Sequence, residues 1–511
     1  MHKLIIKHCR IEVHNYNLGD CPSLELKFQI WNDQTYSYEF RGIDYDSKNK
    51  ILYLPRGYDI VTIENYLGVS ACIDMNCDPY DIVGDILLSY KPRDEVQEEA
   101  IAFMIGGGKY SNNKKKSQLM LNLPTGKGKT YCSIVSASYF KTRTIIIASN
   151  NGWLEQWKNF IMEYTNTQSN EILFLIGSDS IERVFKRGVD GIKFILASHM
   201  TIKSYAEREG WDKIDGLFKV MKVGTKIYDE AHLNFGNIMS IDFHSNTMRN
   251  WYVTATPAKS DRNDNIIYKN VFKNVPSINL FREDLDPHTK YIALLYNSHP
   301  SDKDLIRCTN AYGFNRTLYT NTIINKQNFY YILTIIIDMA LKNDGKNLIY
   351  IGTNESILAV YNWIMSMFPE LIDSVGVYTS IIDNDKKANQ LEKKIILSTT
   401  KSCGAASDIK GLKMTVVLAE PFKSEVLAKQ TLGRTRDPNT LYIECVDMGY
   451  PAIQRYYRQK KKIFEKYATD CTQAIITDDE LFYRVQMIVK NRRCVPQPMM
   501  LKSPIIELPP L

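Results

Sequence analysis

Lys129 and Thr130, directly behind Gly126-Lys127-Gly128, are the side chains around which the rest of this sequence is organised. A largely apolar run, 119–123, leads through Pro124 and Thr125 into the glycines, and 131–140 reads as a helix, so the spacing predicts strand, tight loop, helix. Glycines at 126 and 128 let backbone N–H groups turn toward a polyphosphate, and the new helix offers that anion its positive end. The Lys129 ammonium would then reach the β- and γ-phosphates and the Thr130 hydroxyl would hold Mg²⁺. The general pattern G-x-x-x-x-G-K-[ST] wants glycine where Leu123 stands, so the loop alone is suggestive, and a basic turn is its plain alternative.

A carboxylate pair supplies the other half of a hydrolytic site. Asp229-Glu230-Ala231-His232 closes the apolar stretch 226–228, and the C-terminal ends of parallel strands are where open α/β sheets bind ligands. Asp229 suits Mg²⁺ held through water, and Glu230 suits orienting and deprotonating an attacking water. Alone, such a pair often caps a helix. Thr254-Ala255-Thr256-Pro257 ends another strand, where short hydroxyls could sense whether Asp229 and Glu230 are engaged. Further on, Gln430 to Gly433 precede Arg434 and Arg436. Guanidinium forks match phosphate oxygens, so either arginine could reach across a cleft to a γ-phosphate and make hydrolysis depend on closure.

The elements that must position these groups follow from composition and periodicity. At 511 residues the chain should hold about three domains. Apolar content of 44% and charge of 24% are those of an ordinary globular protein. A net charge of +7 permits a polyanionic partner without demanding one. Ten scattered cysteines without a C-x-x-C pair, and a first segment too short in apolar residues for a signal peptide, point to reduced thiols in the cytoplasm or host-cell interior, not secretion. No apolar run approaches a membrane span.

Residues 1–88 read as a small β-rich accessory domain, with alternating runs such as 24–30 and 51–54. A helix over 94–104 and a basic, glycine-rich connector over 106–116 lead into the phosphate loop. Continuous apolar strands then alternate with helices, which means parallel sheets covered on both faces. The expected fold is α/β: two tandem parallel-sheet domains, 89–286 and 287–450, after the accessory domain, with a basic helical tail over 451–511.

In this order the elements resemble the motifs of superfamily 2 helicases, and within them the XPB/UvsW-like group of phage and viral type. Residues 123–130 are similar to motif I, Trp153-Leu154-Glu155-Gln156-Trp157 to an L-x-x-Q-W signature, and 229–232 to a DEAH motif II. Residues 254–257 resemble motif III, Asp408 with Ile409 motif V, and 430–436 motif VI. The resemblance covers about 90–450 and implies two RecA-like domains that bind ATP and Mg²⁺ and grip a nucleic-acid backbone.

It implies that Gln97 reads the nucleotide and that Pro124, Thr125, Gly126, Lys127, Gly128, Lys129, Thr130 and Asp408 hold it. Lys129, Asp229, Glu230 and either Arg434 or Arg436 would be catalytic, with Thr130 and Asp229 on the metal. Ser149, Asn150, Gln156, His199, Thr201, Thr353, Thr399 and Thr400 would touch nucleic acid; His232, Thr254, Thr256 and Gln430 would couple the two activities. The expected activity is a monomeric, ATP-dependent DNA helicase or translocase, moving 3′ to 5′ on single-stranded or branched DNA. The alternatives are action on RNA or in transcript release, and a binding scaffold that does not unwind.

Overall fold

Strands such as Thr144–Ala148 and Phe194–Ser198 are buried at every position, which requires cover on both faces. The computed structural model describes residues 2–492 apart from 33–36, 125–126, 150, 256–261, 281–288, 311–312, 383–388, 404–408 and 433–439. Two compact units divide the chain, 1–283 and 284–511.

In the first unit a seven-stranded parallel sheet runs Ile172–Leu175, Phe194–Ser198, Thr144–Ala148, Thr225–Asp229, Arg249–Thr254, Gln118–Asn122, Ser277–Asn279. Three strands that end in candidate groups are therefore neighbours. Asp229 pairs in register with Val253, and Thr254 with Asn122 just before the phosphate loop. Beneath them lies a buried polar lock. Lys226 Nζ meets Asp242 Oδ1 at 2.6 Å with both side chains fully buried, and the Tyr228 hydroxyl donates to the same carboxylate at 2.7 Å. Removing one partner of such a pair strands the other charge in the core. Asp242→Ala is accordingly expected to lower unfolding free energy by about 3–5 kcal/mol, read from urea denaturation.

The N-terminal residues build a five-stranded sheet in the order Asp44–Asp46, Ile51–Pro55, Arg10–His14, Lys3–Ile6, Ala71–Ile73, antiparallel except for the last pair. Its Leu4, Ile11, Val13 and Leu52 share one hydrophobic core with Phe243, Val271 and Phe272 of the first unit. Gly57 comes so close that a Cβ there would lie 2.5 Å from the Val271 carbonyl oxygen. One expected strand is different. Residues 24–30 begin as a helical turn, Pro22–Glu25, then Leu26–Phe28 in 3-10 form, and only Gln29–Asn32 is extended. Pro22 favours a helix start, and the buried pair Leu24 and Phe28 is spaced by four while Leu26 is 63% exposed, a helical period within what reads as alternation.

The second unit repeats the plan: Val375–Tyr378, Ile395–Ser398, Lys346–Ile351, Leu412–Ala419, Thr440–Asp447, Thr289–Tyr296, Asp470–Ile475, all parallel. Thr440–Asp447 is hard to read from sequence because Glu444 interrupts its apolar run; the structure satisfies that buried carboxylate with Lys460 and the Tyr291 hydroxyl. The helix expected after 450 is present as Pro451–Tyr467. Beyond it Asp470–Ile475 adds an edge strand that is mostly exposed and so lacks an apolar signature, and the helix Asp478–Arg492 packs on Gln327–Lys342.

Candidate active site

The helix Lys129–Phe140 starts at Gly128, whose φ of +87° lies in the left-handed region. Among the described residues no side chain caps that N-terminus, so its N–H groups keep the geometry that suits an anion. Gln97, buried at the start of the helix Glu95–Ile105, braces the loop from behind. Its Oε1 accepts from the Arg93 N–H at 2.9 Å and its Nε2 donates to the Lys127 carbonyl at 3.3 Å. A Cβ on Gly128 would lie 2.3 Å from that same Nε2. Gly128→Ala should therefore cost about 1–2 kcal/mol of left-handed strain and displace Gln97. Thermal unfolding with and without ATP would show a lower melting point and a smaller ATP-induced rise.

Lys129 Nζ sits 3.1 Å from Glu230 Oε1, with the lysine side chain 11% exposed. The other carboxylate oxygen, Oε2, accepts from the Ala255 N–H at 3.3 Å and lies 3.3 Å from His232 Nδ1. The imidazole nitrogen is in turn 2.7 Å from the Thr254 hydroxyl. One polar chain thus joins the loop lysine, through the carboxylate and imidazole, to the end of the neighbouring strand. Burial pushes Glu230 upward, but Lys129 and then His232 outweigh it and hold the carboxyl well below the usual range. Glu230 also has a φ of +47°, a strained backbone for a side-chain-bearing residue, and such strain gathers at functional sites.

Asp229 behaves oppositely. Burial, then the Glu230 charge, push its carboxyl up to about 6, against the pull of Lys129 and Trp157. The Trp157 indole N–H donates to Asp229 Oδ2 at 2.9 Å. Trp157 was legible only as half of the Q-W signature; nothing in the sequence says that it meets a carboxylate 72 residues away. An uncapped helix end, a lysine at its first turn and a strand-end carboxylate fit a triphosphate with Mg²⁺.

Residues 89–259 match the family described as "Type III restriction enzyme, res subunit". The match spans the phosphate loop and the Asp229–His232 segment and supports a likeness to superfamily 2 helicases. Among curated relatives of this chain is "Transcript termination protein A18" of Yaba monkey tumor virus (strain VR587), 23% identical over 335 residues, 63% of this chain and 65% of that one. The protein of the same name from Yaba-like disease virus is 23% identical over 64% of this chain and 66% of its own length. The alignments therefore span just under two thirds of these relatives. Among solved structures, S. cerevisiae Dbp5 bound to RNA and ADP BeF3 matches at TM-score 0.50 and 14% identity, over 78% of this chain and 93% of that one, a likeness of fold. T4 UvsW aligns over 93% of this chain and 99% of its own at 13% identity, with a TM-score of 0.35, too low to bear on the fold.

The remaining expected site residues are placed unevenly. Thr125, Gly126, Asn150, Thr256, Asp408, Arg434 and Arg436 lie outside the described residues, as does the side chain of Gln430. Pro124 precedes the loop and is buried, while Lys127 and Thr130 are partly buried. Ser149 follows the strand Thr144–Ala148, and Gln156 is half-buried on the helix Asn151–Tyr164. His199 differs from its expectation as a surface contact. It is 4% exposed, with Nδ1 3.2 Å from Asn237 Nδ2, and burial, then Lys203, push its ring down to about 4. Thr201 completes the cap of its own helix through Ser198.

In the second unit Thr353 caps the helix Asn354–Met367 by accepting from the Ser356 N–H at 3.1 Å. Thr399 accepts from the Ser402 N–H at 3.0 Å, and Thr400 gives its backbone N–H to Glu420 at 2.7 Å. Both threonines are buried. As the structure stands, these hydroxyl residues shape loop backbones more than they present free side chains. Among the described residues no helix is long and apolar enough to cross a membrane.

Proposed function

We propose that this chain hydrolyses ATP with Lys129, Asp229 and Glu230 and uses the energy to move along DNA, 3′ to 5′, remodelling forks, branched DNA or recombination intermediates inside the cell. The observation that supports it is the polar chain from Lys129 through Glu230 and His232 to Thr254. Lys129 would exchange Glu230 for the triphosphate. Freed of its cation, the Glu230 carboxylate would take the proton of the attacking water, the step that general-base catalysis needs. Thr130 and Asp229 would hold Mg²⁺, which supplies charge neutralisation on the phosphates. Thr125, Gly126, Lys127 and Gly128 would cradle the phosphates and Gln97 the nucleotide's base end. Asp408 and one of Arg434 and Arg436 would complete the set from the second unit.

Gripping a backbone through Ser149, Asn150, Gln156, Thr201, Thr353, Thr399 and Thr400 would make binding sequence-tolerant and salt-sensitive. His232 and Thr254, with Thr256 and Gln430, would pass the state of the nucleotide to that grip. A second reading, action on RNA in transcript release, is favoured by the printed names of the viral relatives. Phosphate release measured beside single-stranded DNA, forked DNA and RNA separates the two. Greater stimulation by DNA is expected, and preference for RNA would overturn the DNA reading while leaving the motor intact. The scaffold alternative requires a dead site, and the intact Glu230 carboxylate beside Lys129 argues against it.

A further inference from the structure

Trp157 is buried, 3% exposed, and its single polar atom donates to Asp229 Oδ2 at 2.9 Å. A buried indole N–H needs an acceptor, but any carbonyl would serve; here it takes one oxygen of the carboxylate at the end of a central strand. Holding Oδ2 stops the carboxylate from rotating and leaves Oδ1 as the oxygen with a fixed direction. Ligand carboxylates and imidazoles at metal sites are oriented by such outer hydrogen bonds, and losing one typically costs 10–100-fold in metal affinity.

The indole is carried by the helix Asn151–Tyr164, which starts directly after Ser149 and Asn150 and bears Gln156 one residue before Trp157. That helix also packs on Lys129–Phe140, the helix that begins at the phosphate loop. We infer that Trp157 is a positioning residue that sets the Asp229 carboxylate for Mg²⁺ and ties its orientation to the helix Asn151–Tyr164, so that contact of a phosphodiester backbone with the start of this helix reaches the metal carboxylate through one hydrogen bond. The inference rests on the ATPase reading above and adds the route by which nucleic acid controls that site.

The test uses the full chain with Trp157→Phe, which keeps an aromatic ring and removes the donor. Binding of a fluorescent methylanthraniloyl ATP is titrated with Mg²⁺ in the absence of nucleic acid. The half-saturating Mg²⁺ concentration should rise about tenfold, with binding in EDTA unchanged. The ratio of DNA-stimulated to unstimulated phosphate release should fall at least about fivefold. In an Asp229→Asn background the same Trp157→Phe change should have no further effect on the Mg²⁺ titration, because the residue acts through that carboxylate. A Mg²⁺ requirement within about twofold of the parent's, or a shift that persists in the Asp229→Asn background, overturns the inference.

A spectroscopic arm does not depend on the folding of Trp157→Phe. With ¹⁵N-labelled tryptophan, the indole resonance that differs most between the parent and Asp229→Asn must move when Mg²⁺ and ADP are added to the parent. A resonance that stays in place overturns the inference. If the parent releases no phosphate with either nucleic acid, the motor reading fails, while the Mg²⁺-binding and indole arms still decide the role of Trp157.

Discussion

Glu230→Gln is expected to lower nucleic-acid-stimulated ATP turnover by about 10²–10⁴-fold, the contribution of a positioned general base, while ATP still binds. The amide keeps the shape of the carboxylate and its acceptor for the Ala255 N–H, so the site stays assembled. What is lost is the group that can take a proton from water. Stopped-flow binding of a fluorescent ATP beside steady-state phosphate release separates the two effects. A variant that lost binding as well would mean that Glu230 does structural work beyond its charge.

The same substitution changes acid stability in a defined direction. The folded Glu230 carboxyl is held below its usual range by Lys129 and His232 against the effect of burial. Its stabilisation is therefore present above the unfolded value of about 4.3 and lost as pH falls below it. Glu230→Gln removes that acid-side slope. Asp229, pushed up to about 6 by burial and by Glu230, has the opposite sign: its contribution is present below about 3.9 and is lost as pH rises through the folded value.

Lys129→Ala should bring turnover down at least about 10²–10³-fold, as removal of one preorganised charge donor does, and should also weaken ATP binding. It should also destabilise the fold, because Glu230 Oε1 then loses its cation inside the protein. Removing one member of a buried pair costs about 3–5 kcal/mol. Since the Ala255 N–H and His232 still serve Oε2, about 2–3 kcal/mol is the expected loss here. Urea unfolding gives the second number and phosphate release the first. Parental turnover would show that Lys129 does not bind the nucleotide.

The parts of this site that could be read in the sequence are those in which neighbouring residues do one job. Gly126 to Thr130 are consecutive and the loop chemistry needs that order; Asp229 and Glu230 follow an apolar strand, and strand ends in parallel sheets face ligands. Thr254 could be matched to Glu230 because both end strands of one sheet, and the structure joins them through His232. Trp157 could not, since its partner depends on how the helix Asn151–Tyr164 crosses the sheet, which no local spacing encodes.

Local pattern failed where burial and polarity part company. Thr440–Asp447 holds a buried Glu444 neutralised by Lys460, and Asp470–Ile475 is a strand with hardly any buried face. His199, a nucleic-acid contact by resemblance alone, is 4% exposed at the start of the helix His199–Glu209, with Asn237 of another helix 3.2 Å from its Nδ1. For the two strands a tertiary partner overrode what period and composition suggest.

Phosphate release by the purified chain, with Mg²⁺ and ATP, in the presence and absence of single-stranded DNA and RNA, tests the central claim most directly. ATP hydrolysis that rises with nucleic acid and vanishes in Glu230→Gln is the predicted result. Release at background level under all three conditions would contradict the claim.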